Sequence, residues 1–170
     1  MKRIYRLGLV VLILISCVGC DRATKSIVKE SLASSLPISL LNDSIRVEIC
    51  ENPGALLSLG SNLPSQARFV FFVVCVCAIL IFALVFTINS RSLSLMQLVG
   101  LSFVVGGGTG NLLDRLFNNG VVVDFMRLGI GPLRTGVFNV ADLAIVVGLS
   151  MFSLFSVKGR AKATATLPSQ

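Results

Sequence analysis

Residues 93–113 read LSLMQLVGLSFVVGGGTGNLL. This run is long and apolar enough for one α-helix to cross about 30 Å of hydrocarbon. It is also rich in glycine, and Gly106 and Gly110 have the four-residue spacing that lets two helices approach closely within lipid. The stretch therefore predicts a membrane-spanning helix that packs tightly against its neighbours.

Three further apolar stretches, at residues 4–20, 69–89 and 137–157, also approach the length of a membrane span. Of the 170 residues, 54% are hydrophobic and 14% are charged, and the mean hydropathy is +0.89. Soluble domains have about 45–50% apolar and about 25% charged residues. The composition excludes a disordered or water-soluble protein, and we expect an all-α membrane protein built as a four-helix bundle.

The segments between the spans predict a small subdomain beside the bundle. Residues 21–32, DRATKSIVKESL, predict a short amphipathic helix at the membrane interface, with Lys25 facing water. Apolar and charged residues alternate over residues 45–49, which indicates a half-exposed β-strand. We therefore expect one membrane-embedded domain over residues 1–157. It includes two outer loops, residues 21–68, which contain β-structure, and residues 114–136. A polar, disordered tail follows at residues 158–170.

Basic residues are distributed unevenly about the four spans. Residues 1–6, the link between the second and third spans, and the tail hold seven basic residues and no acid. By the positive-inside rule these segments and both termini are cytoplasmic, and the other segments lie outside. The net charge of +7 then belongs to the cytoplasmic side, and no nucleic-acid partner is indicated. The seven residues are Lys2, Arg3, Arg6, Arg91, Lys158, Arg160 and Lys162.

The residue types exclude several kinds of catalytic site. The chain has no His, which removes His-based triads and His-ligated metals. Five Cys are present, and four of them lie in long apolar runs. Cys17 and Cys20 have CxxC spacing, but no second pair completes a zinc site. We therefore expect neither a metal nor a cofactor.

Two acidic residues lie in apolar surroundings. Asp142 falls within FNVADLAIVVG (residues 138–148), where an ionisable group costs about 2.5–3.5 kcal/mol if fully immersed in lipid and usually faces the bundle interior. Asp124 falls within VVVDFMRL, where poor hydration raises the pKa of a carboxyl group. Structural roles stay open: Asp142 held by Asn139 or an arginine, and Asp124 as a loop cap or paired with Arg127.

If Asp124 and Asp142 converge at one membrane face, they suggest aspartic acid–base chemistry. Two carboxylates about 4 Å apart repel by about 4 kcal/mol at an effective dielectric constant near 20, so the pair shares a proton. One carboxylate then activates water, and the other donates a proton to the carbonyl oxygen.

Other polar pairs have ordinary interpretations when taken alone. Asp114 and Arg115 are typical of a helix-end ion pair, and Asp21 and Lys25 of a surface pair one turn apart. Residues 52–55, NPGA, are typical of a turn.

Read together, five short motifs resemble the lipoprotein signal peptidase family, the type II signal peptidases of bacteria. The resemblance covers residues 1 to about 157, including the number of spans and the order of the motifs. Each motif is unspecific alone, and their order within this topology makes the resemblance specific. The motifs are DRATK (21–25), NPGA (52–55), GGGTGNLLDR (106–115), VDF (123–125) and FNVAD (138–142).

The resemblance implies a membrane aspartic endopeptidase with Asp124 and Asp142 as its catalytic dyad. Such an enzyme cuts the signal peptide from a prolipoprotein just before its diacylglyceryl-modified cysteine, at the outer face of the cytoplasmic membrane. Implied partners are diacylglyceryl-prolipoproteins, membrane lipid and the cyclic-peptide inhibitor globomycin. One departure is Leu56-Leu57, where the family commonly has a Phe two residues after the NPGA motif. Positions that line or support the implied site are Asp21, Lys25, Asn52, Gly54, Asn111, Asp114, Arg115, Asn139 and Ala141.

Two other interpretations stay open from the residues alone. A scaffold or transporter component would use its acids as an ion path, which predicts acids at midplane depth in several spans rather than at one face. Alternatively, MKRIYR and the following apolar run are a cleaved signal, with the chain itself modified at Cys17. We expect the segment to be retained, because the residues directly after it match the first motif.

Overall fold

The computed structural model describes residues 2–32, 37–55 and 59–165, with side chains as far as residue 157. Four of its helices are long and apolar enough to cross a membrane, which confirms the predicted four-helix bundle. A small antiparallel sheet accompanies them. The helices are α1 (Arg3–Leu32), α2 (Ser65–Asn89), α3 (Leu95–Phe117) and α4 (Val140–Ala165).

Helix α1 is longer than the predicted first span. It continues unbroken through residues 21–32, so the prediction of a separate interfacial helix is wrong. No Gly or Pro interrupts this segment, and Lys25 is only 4% exposed rather than facing water. The second half of α1 is therefore oriented by its buried polar residues rather than by an amphipathic face.

The other boundaries shift for local reasons. Helix α4 begins at Val140 rather than at residue 137, because Phe138 forms a β-bridge with Met126. It continues to Ala165, so the predicted disordered tail is wrong as far as that residue, and residues 166–170 lie outside the description. Its end carries Ala, Lys and Arg, which favour helix.

The sheet joins the two segments that were predicted to be outer loops. Its strands are β1 (Ile38–Leu40), β2 (Ile45–Asn52), β3 (Val122–Ile130) and β4 (Leu133–Arg134), paired antiparallel in that order. Strand β2 confirms the strand expected from the alternation at residues 45–49. The β2–β3 pairing places Cys50 opposite Asp124, so the end of β2 lies beside this buried acid.

Helix α3 is the centre of the bundle and contacts the other three helices. Its glycines allow these close approaches: a Cβ atom on Gly100 would lie 2.7 Å from the carbonyl oxygen of Gly148 on α4. Gly106 lies against Cys17 of α1 in the same way, as its spacing predicted. A Cβ atom on Gly107 would overlap the carbonyl oxygen of Ala141, at the start of α4.

We expect Gly107→Ala to destabilise the protein, because the new methyl group meets backbone of α4 that cannot move aside cheaply. The loss should be about 1–3 kcal/mol, typical of overpacking. Thermal unfolding in detergent measures it. The matched control is Gly19→Ala, where a Cβ atom meets nothing within 4 Å. Equal stability of the two variants would contradict the close α3–α4 crossing.

Candidate active site

Asp124 of β3 and Asp142 of α4 are brought together by one side chain, that of Asn139. The Nδ2 of Asn139 donates to the Asp124 Oδ1 at 2.7 Å. Its Oδ1 accepts from the backbone N–H of Asp142 at 2.9 Å. The two acids predicted from sequence are therefore neighbours at one end of the bundle, where α4 begins.

Asn139 and Asp142 form a reciprocal cap at the start of α4. Besides the bond to the Asp142 N–H, the backbone N–H of Asn139 donates to the Asp142 Oδ2 at 3.1 Å. This is the capping-box pattern, with Asp in place of the usual Glu three residues after the cap. The helix N-terminus also stabilises a negative charge there. The FNVAD motif thus places Asp142 by local backbone chemistry.

Two more asparagines complete the surroundings of the acids. Asn111 of α3 donates from Nδ2 to the Asp142 Oδ1 at 2.7 Å. Asn52, at the end of β2, donates to the Asp124 Oδ2 at 3.1 Å. All four carboxyl oxygens therefore accept hydrogen bonds. Within the described ranges no group of three or more His, Cys, Asp or Glu residues could hold a metal ion.

Asp124 is 3% exposed, and its pKa is raised from 3.8 to about 6, with burial as the largest cause. Within this net shift, the charge of Asp142 also raises the pKa, whereas the hydrogen bonds from Asn52 and Asn139 lower it. The raised pKa expected from the apolar sequence context is confirmed. The carboxyl group can therefore bind and release a proton within about one pH unit of neutrality. The alternative pairing with Arg127 is wrong, because Arg127 pairs with Glu48 at 3.0 Å.

A cluster of charged side chains, buried at its centre, lies beside the two acids. The Lys25 Nζ is 2.7 Å from the Asp21 Oδ2 and 2.7 Å from the Asp114 Oδ2. Asp21 is 0% exposed and Asp114 is 1% exposed. Arg22 adds an ion pair to Asp114 at 3.2 Å. The surface-pair interpretation of Asp21 and Lys25 is therefore wrong.

This cluster is bonded to the backbone next to each of the two acids. The Asp21 Oδ1 accepts from the N–H of Ala141, the residue before Asp142, at 3.0 Å. The Asp114 Oδ2 accepts from the N–H of Val123, the residue before Asp124, at 3.1 Å. Lys25 thus connects the backbone segments that carry the two acids.

Arg115 holds the NPGA segment. The helix-end ion pair between Asp114 and Arg115 that the sequence suggested is wrong. Its Nη2 donates to the carbonyl oxygen of Gly54 at 2.6 Å, and its Nη1 to that of Asn111 at 3.3 Å. The Oδ1 of Asn52 accepts from the Gly54 N–H at 3.0 Å. The segment is therefore folded beside the acids.

Sequence reasoning missed two residues beside the site. The Arg115 guanidinium lies 5.6 Å from the ring centroid of Phe72 in α2, and Arg22 pairs with Asp114. Arg22 belongs to the DRATK motif and could have been included. Phe72 carries no signal, because it looks like any other apolar residue of a span. Leu56 and Leu57, the departure from the family pattern, lie outside the described residues.

Comparison with known proteins places the chain in a family. The profile of the Peptidase_A8 family, described as signal peptidase (SPase) II, matches residues 13–158. The chain belongs to this family. Membership of the signal peptidase II family makes it an aspartic-type peptidase, and its four long apolar helices fit a membrane protein.

Individual relatives agree with the family. The chain is 34% identical to the lipoprotein signal peptidase of Leifsonia xyli, over 82% of this chain and 62% of that protein's length. It is 33% identical to the lipoprotein signal peptidase of Borreliella burgdorferi, over 84% of this chain and 85% of that protein.

Two solved structures share the fold. Both are described as bacterial membrane enzymes whose structures were obtained by the in meso method. One has a TM-score of 0.79 at 24% identity, covering 96% of this chain and 94% of that one. The other has a TM-score of 0.72 at 25% identity, covering 89% of this chain and 94% of that one.

The raised pKa of Asp124 predicts a pH-dependent cost to stability. A carboxyl group whose pKa is raised in the folded state contributes fully to the free energy of unfolding at pH values below its ordinary pKa. For Asp124 this contribution is lost as the pH rises through about 6. Between about pH 4 and about pH 7, Asp124→Asn should therefore gain stability relative to wild type by an amount on the order of 1–3 kcal/mol. Thermal unfolding across that range measures the change, and any constant effect of the amide cancels.

The control for this experiment is Asp43→Asn. Hydrogen bonds from Ser39 and Arg134 lower the pKa of the Asp43 carboxyl group. The free energy of unfolding of Asp43→Asn should differ from that of wild type by a constant amount above pH 3.8, the ordinary pKa of the carboxyl group. Parallel stability curves for Asp124→Asn and wild type would contradict a buried Asp124 that ionises only near neutrality.

Proposed function

We propose that the chain removes signal peptides from diacylglyceryl-modified prolipoproteins by cleaving just before the lipidated cysteine, with Asp124 and Asp142 as the catalytic dyad. The observation that carries this proposal is the Asn139 side chain, which joins two acids from distant parts of the sequence. The names of the relatives support the substrate class.

In the proposed first step, Asp124 is protonated and Asp142 is ionised. Asp142 removes a proton from a water molecule, and the water oxygen attacks the carbonyl carbon of the scissile peptide bond. Asp124 donates its proton to the carbonyl oxygen, which gives a neutral tetrahedral intermediate. The pKa of about 6 on Asp124 supports this assignment, because a group near neutrality transfers protons in both directions.

In the proposed second step, the intermediate collapses and the C–N bond breaks. Asp142 gives the proton that it took from water to the leaving nitrogen, while Asp124 recovers a proton from a hydroxyl of the intermediate. The new amino terminus is that of the lipidated cysteine, and the signal peptide leaves with a carboxyl end. The dyad returns to its starting protonation state.

The other predicted site residues have supporting roles in this proposal. Side-chain amides orient the two carboxyl groups, Arg115 holds the peptide segment at Gly54 beside them, and the Lys25 cluster fixes the backbone before each acid. None of these residues takes or gives a proton in either step. The set is Asp21, Lys25, Asn52, Gly54, Asn111, Asp114, Arg115, Asn139 and Ala141.

The depth of the site fits a lipid-anchored substrate. The acids lie where α4 begins and β3 passes the bundle end, which corresponds to the edge of a bilayer rather than its centre. A diacylglyceryl group anchored in the leaflet would hold the adjacent peptide bond at that level. With the basic segments cytoplasmic, the site faces outward and residues 1–157 act as one domain, and we expect globomycin to bind there.

The dyad is tested by comparing acid-to-amide variants of purified protein at matched concentration on one lipidated prolipoprotein. Asp124→Asn and Asp142→Asn should each lower kcat by at least about 10²–10⁴-fold, because each removes an essential proton carrier. The double variant should lose little more than either single one, since the pair acts as a unit. Asp43→Asn is the control and should keep wild-type turnover.

Asp114→Asn separates proton transfer from support. We expect it to lower the yield or stability of the protein and to leave measurable turnover in what remains, because Asp114 contacts Lys25 and the Val123 N–H. Near-normal turnover of Asp124→Asn together with none for Asp114→Asn would show that the dyad is misassigned.

Lipid dependence tests the proposed substrate. A prolipoprotein that lacks its diacylglyceryl group should be cut very poorly, because nothing then holds its peptide bond at the level of the acids. The measurement compares kcat/KM for both forms of one substrate in the same bicelles. Equal values would contradict a diacylglyceryl-dependent enzyme, whatever the outcome for the dyad.

A further inference from the structure

At the end of the bundle opposite the acids, a cavity of about 600 Å³ opens between the ends of three helices. The start of α1, the end of α2, the link after it and the start of α3 line this cavity. Its volume lies within the range of about 300–1,000 Å³ that is typical of small-molecule sites. Nothing in the proposed peptidase reaction uses it.

Three arginines line the cavity, Arg3, Arg6 and Arg91. The nearest acids in the sequence, Asp21 and Asp114, lie towards the other end of the bundle. Within the described part of the chain, none of these three arginines has an ion-pair partner. Like charges that share a cavity repel each other, so the arrangement favours a bound anion.

The hydrogen bonds at the cavity leave much of this donor capacity free. Arg6 donates from Nη2 to the carbonyl oxygens of Thr87 and Ser90 at the end of α2, while its buried Nε has no partner among the described residues. Arg3 makes one long bond, of 3.4 Å, to the side chain of Asn89. Arg91 makes no hydrogen bond to any described residue. A phosphate group accepts several such donors at once.

Apart from Asn89, the other residues that line the cavity are apolar. Ile88, Leu93 and Leu98 line it beside the arginines. The helices that frame it are long enough to cross a membrane, so this end of the bundle lies near the lipid headgroups. A ligand that fits both walls has a phosphate head and a hydrocarbon tail. Basic pockets between transmembrane helices bind the headgroups of anionic lipids in this way.

We propose that this cavity, lined by Arg3, Arg6 and Arg91, binds the headgroup of a phospholipid with net negative charge. A phosphate group is the chemistry shared by a lipid and free inorganic phosphate, and the apolar wall favours the lipid. The site lies at the far end of the bundle from Asp124 and Asp142 and does not depend on the proposed cleavage reaction.

The test is native mass spectrometry of the full purified chain with phosphatidylglycerol or phosphatidylcholine of matched acyl chains. We expect the anionic lipid to bind several-fold more tightly. Arg3→Gln and Arg91→Gln should each weaken its binding by about fivefold, the equivalent of about 1 kcal/mol per basic residue near a membrane surface. Arg6 is left unchanged, because it also caps α2. The matched control is Lys29→Gln, which removes an exposed charge from the other end of α1.

Each outcome decides the proposal. Preference for phosphatidylglycerol that falls in both arginine variants and persists in Lys29→Gln supports it. Equal binding of the two lipids, or an equal loss in Lys29→Gln and Arg91→Gln, would overturn it, because the attraction would then be unspecific. A further measurement compares how much inorganic phosphate and phosphatidylglycerol raise the thermal stability of the protein at constant ionic strength. Equal stabilisation by both would overturn the lipid assignment in favour of a free-anion site.

Discussion

The ammonium group of Lys25, held between the carboxylates of Asp21 and Asp114, is the interaction on which the site depends. Burying charged groups costs several kcal/mol for each ion, and the cost is offset only when every charge is paired and hydrogen-bonded. Here one cation lies between two carboxylates, and the backbone N–H groups of Ala141 and Val123 donate hydrogen bonds to those carboxylates. Without Lys25, the buried carboxylates of Asp21 and Asp114 would face each other, with Arg22 left as the cation beside Asp114.

The consequence of this constraint is that four elements are fixed relative to one another at one point. Asp21 ties α1 to the start of α4, and Asp114 ties the end of α3 to β3. The acids proposed as the dyad are the next residues along the chain in each case. Asn139 then spans the remaining gap between them, so its side chain needs only to orient two carboxyl groups that the backbone has already placed. Glycine on α3 makes this approach of α4 sterically possible.

Hydropathy and local sequence pattern were sufficient to predict the four helices, strand β2 and the raised pKa of Asp124, because spans, half-exposed strands and apolar flanks leave local signals. They failed where a partner is distant in sequence. The inward orientation of Lys25 depends on Asp114 in another helix, which no local pattern shows. The supposed Asp114–Arg115 pair failed for a geometric reason, since adjacent residues on a helix point about 100° apart. The pairing of β2 with β3 across two intervening helices likewise has no local signature.

The measurement that tests this account most directly is kcat and KM for Lys25→Met, on protein whose helix content matches wild type. If the cluster positions the two acids, kcat should fall by about 10²-fold or more, as for a displacement of about 1 Å at a reacting group, while KM changes much less. Lys29→Met, one turn further along α1 and exposed, should leave both constants unchanged. A folded Lys25→Met protein with the kcat of wild type would contradict the claim that the buried cluster sets the geometry of the dyad.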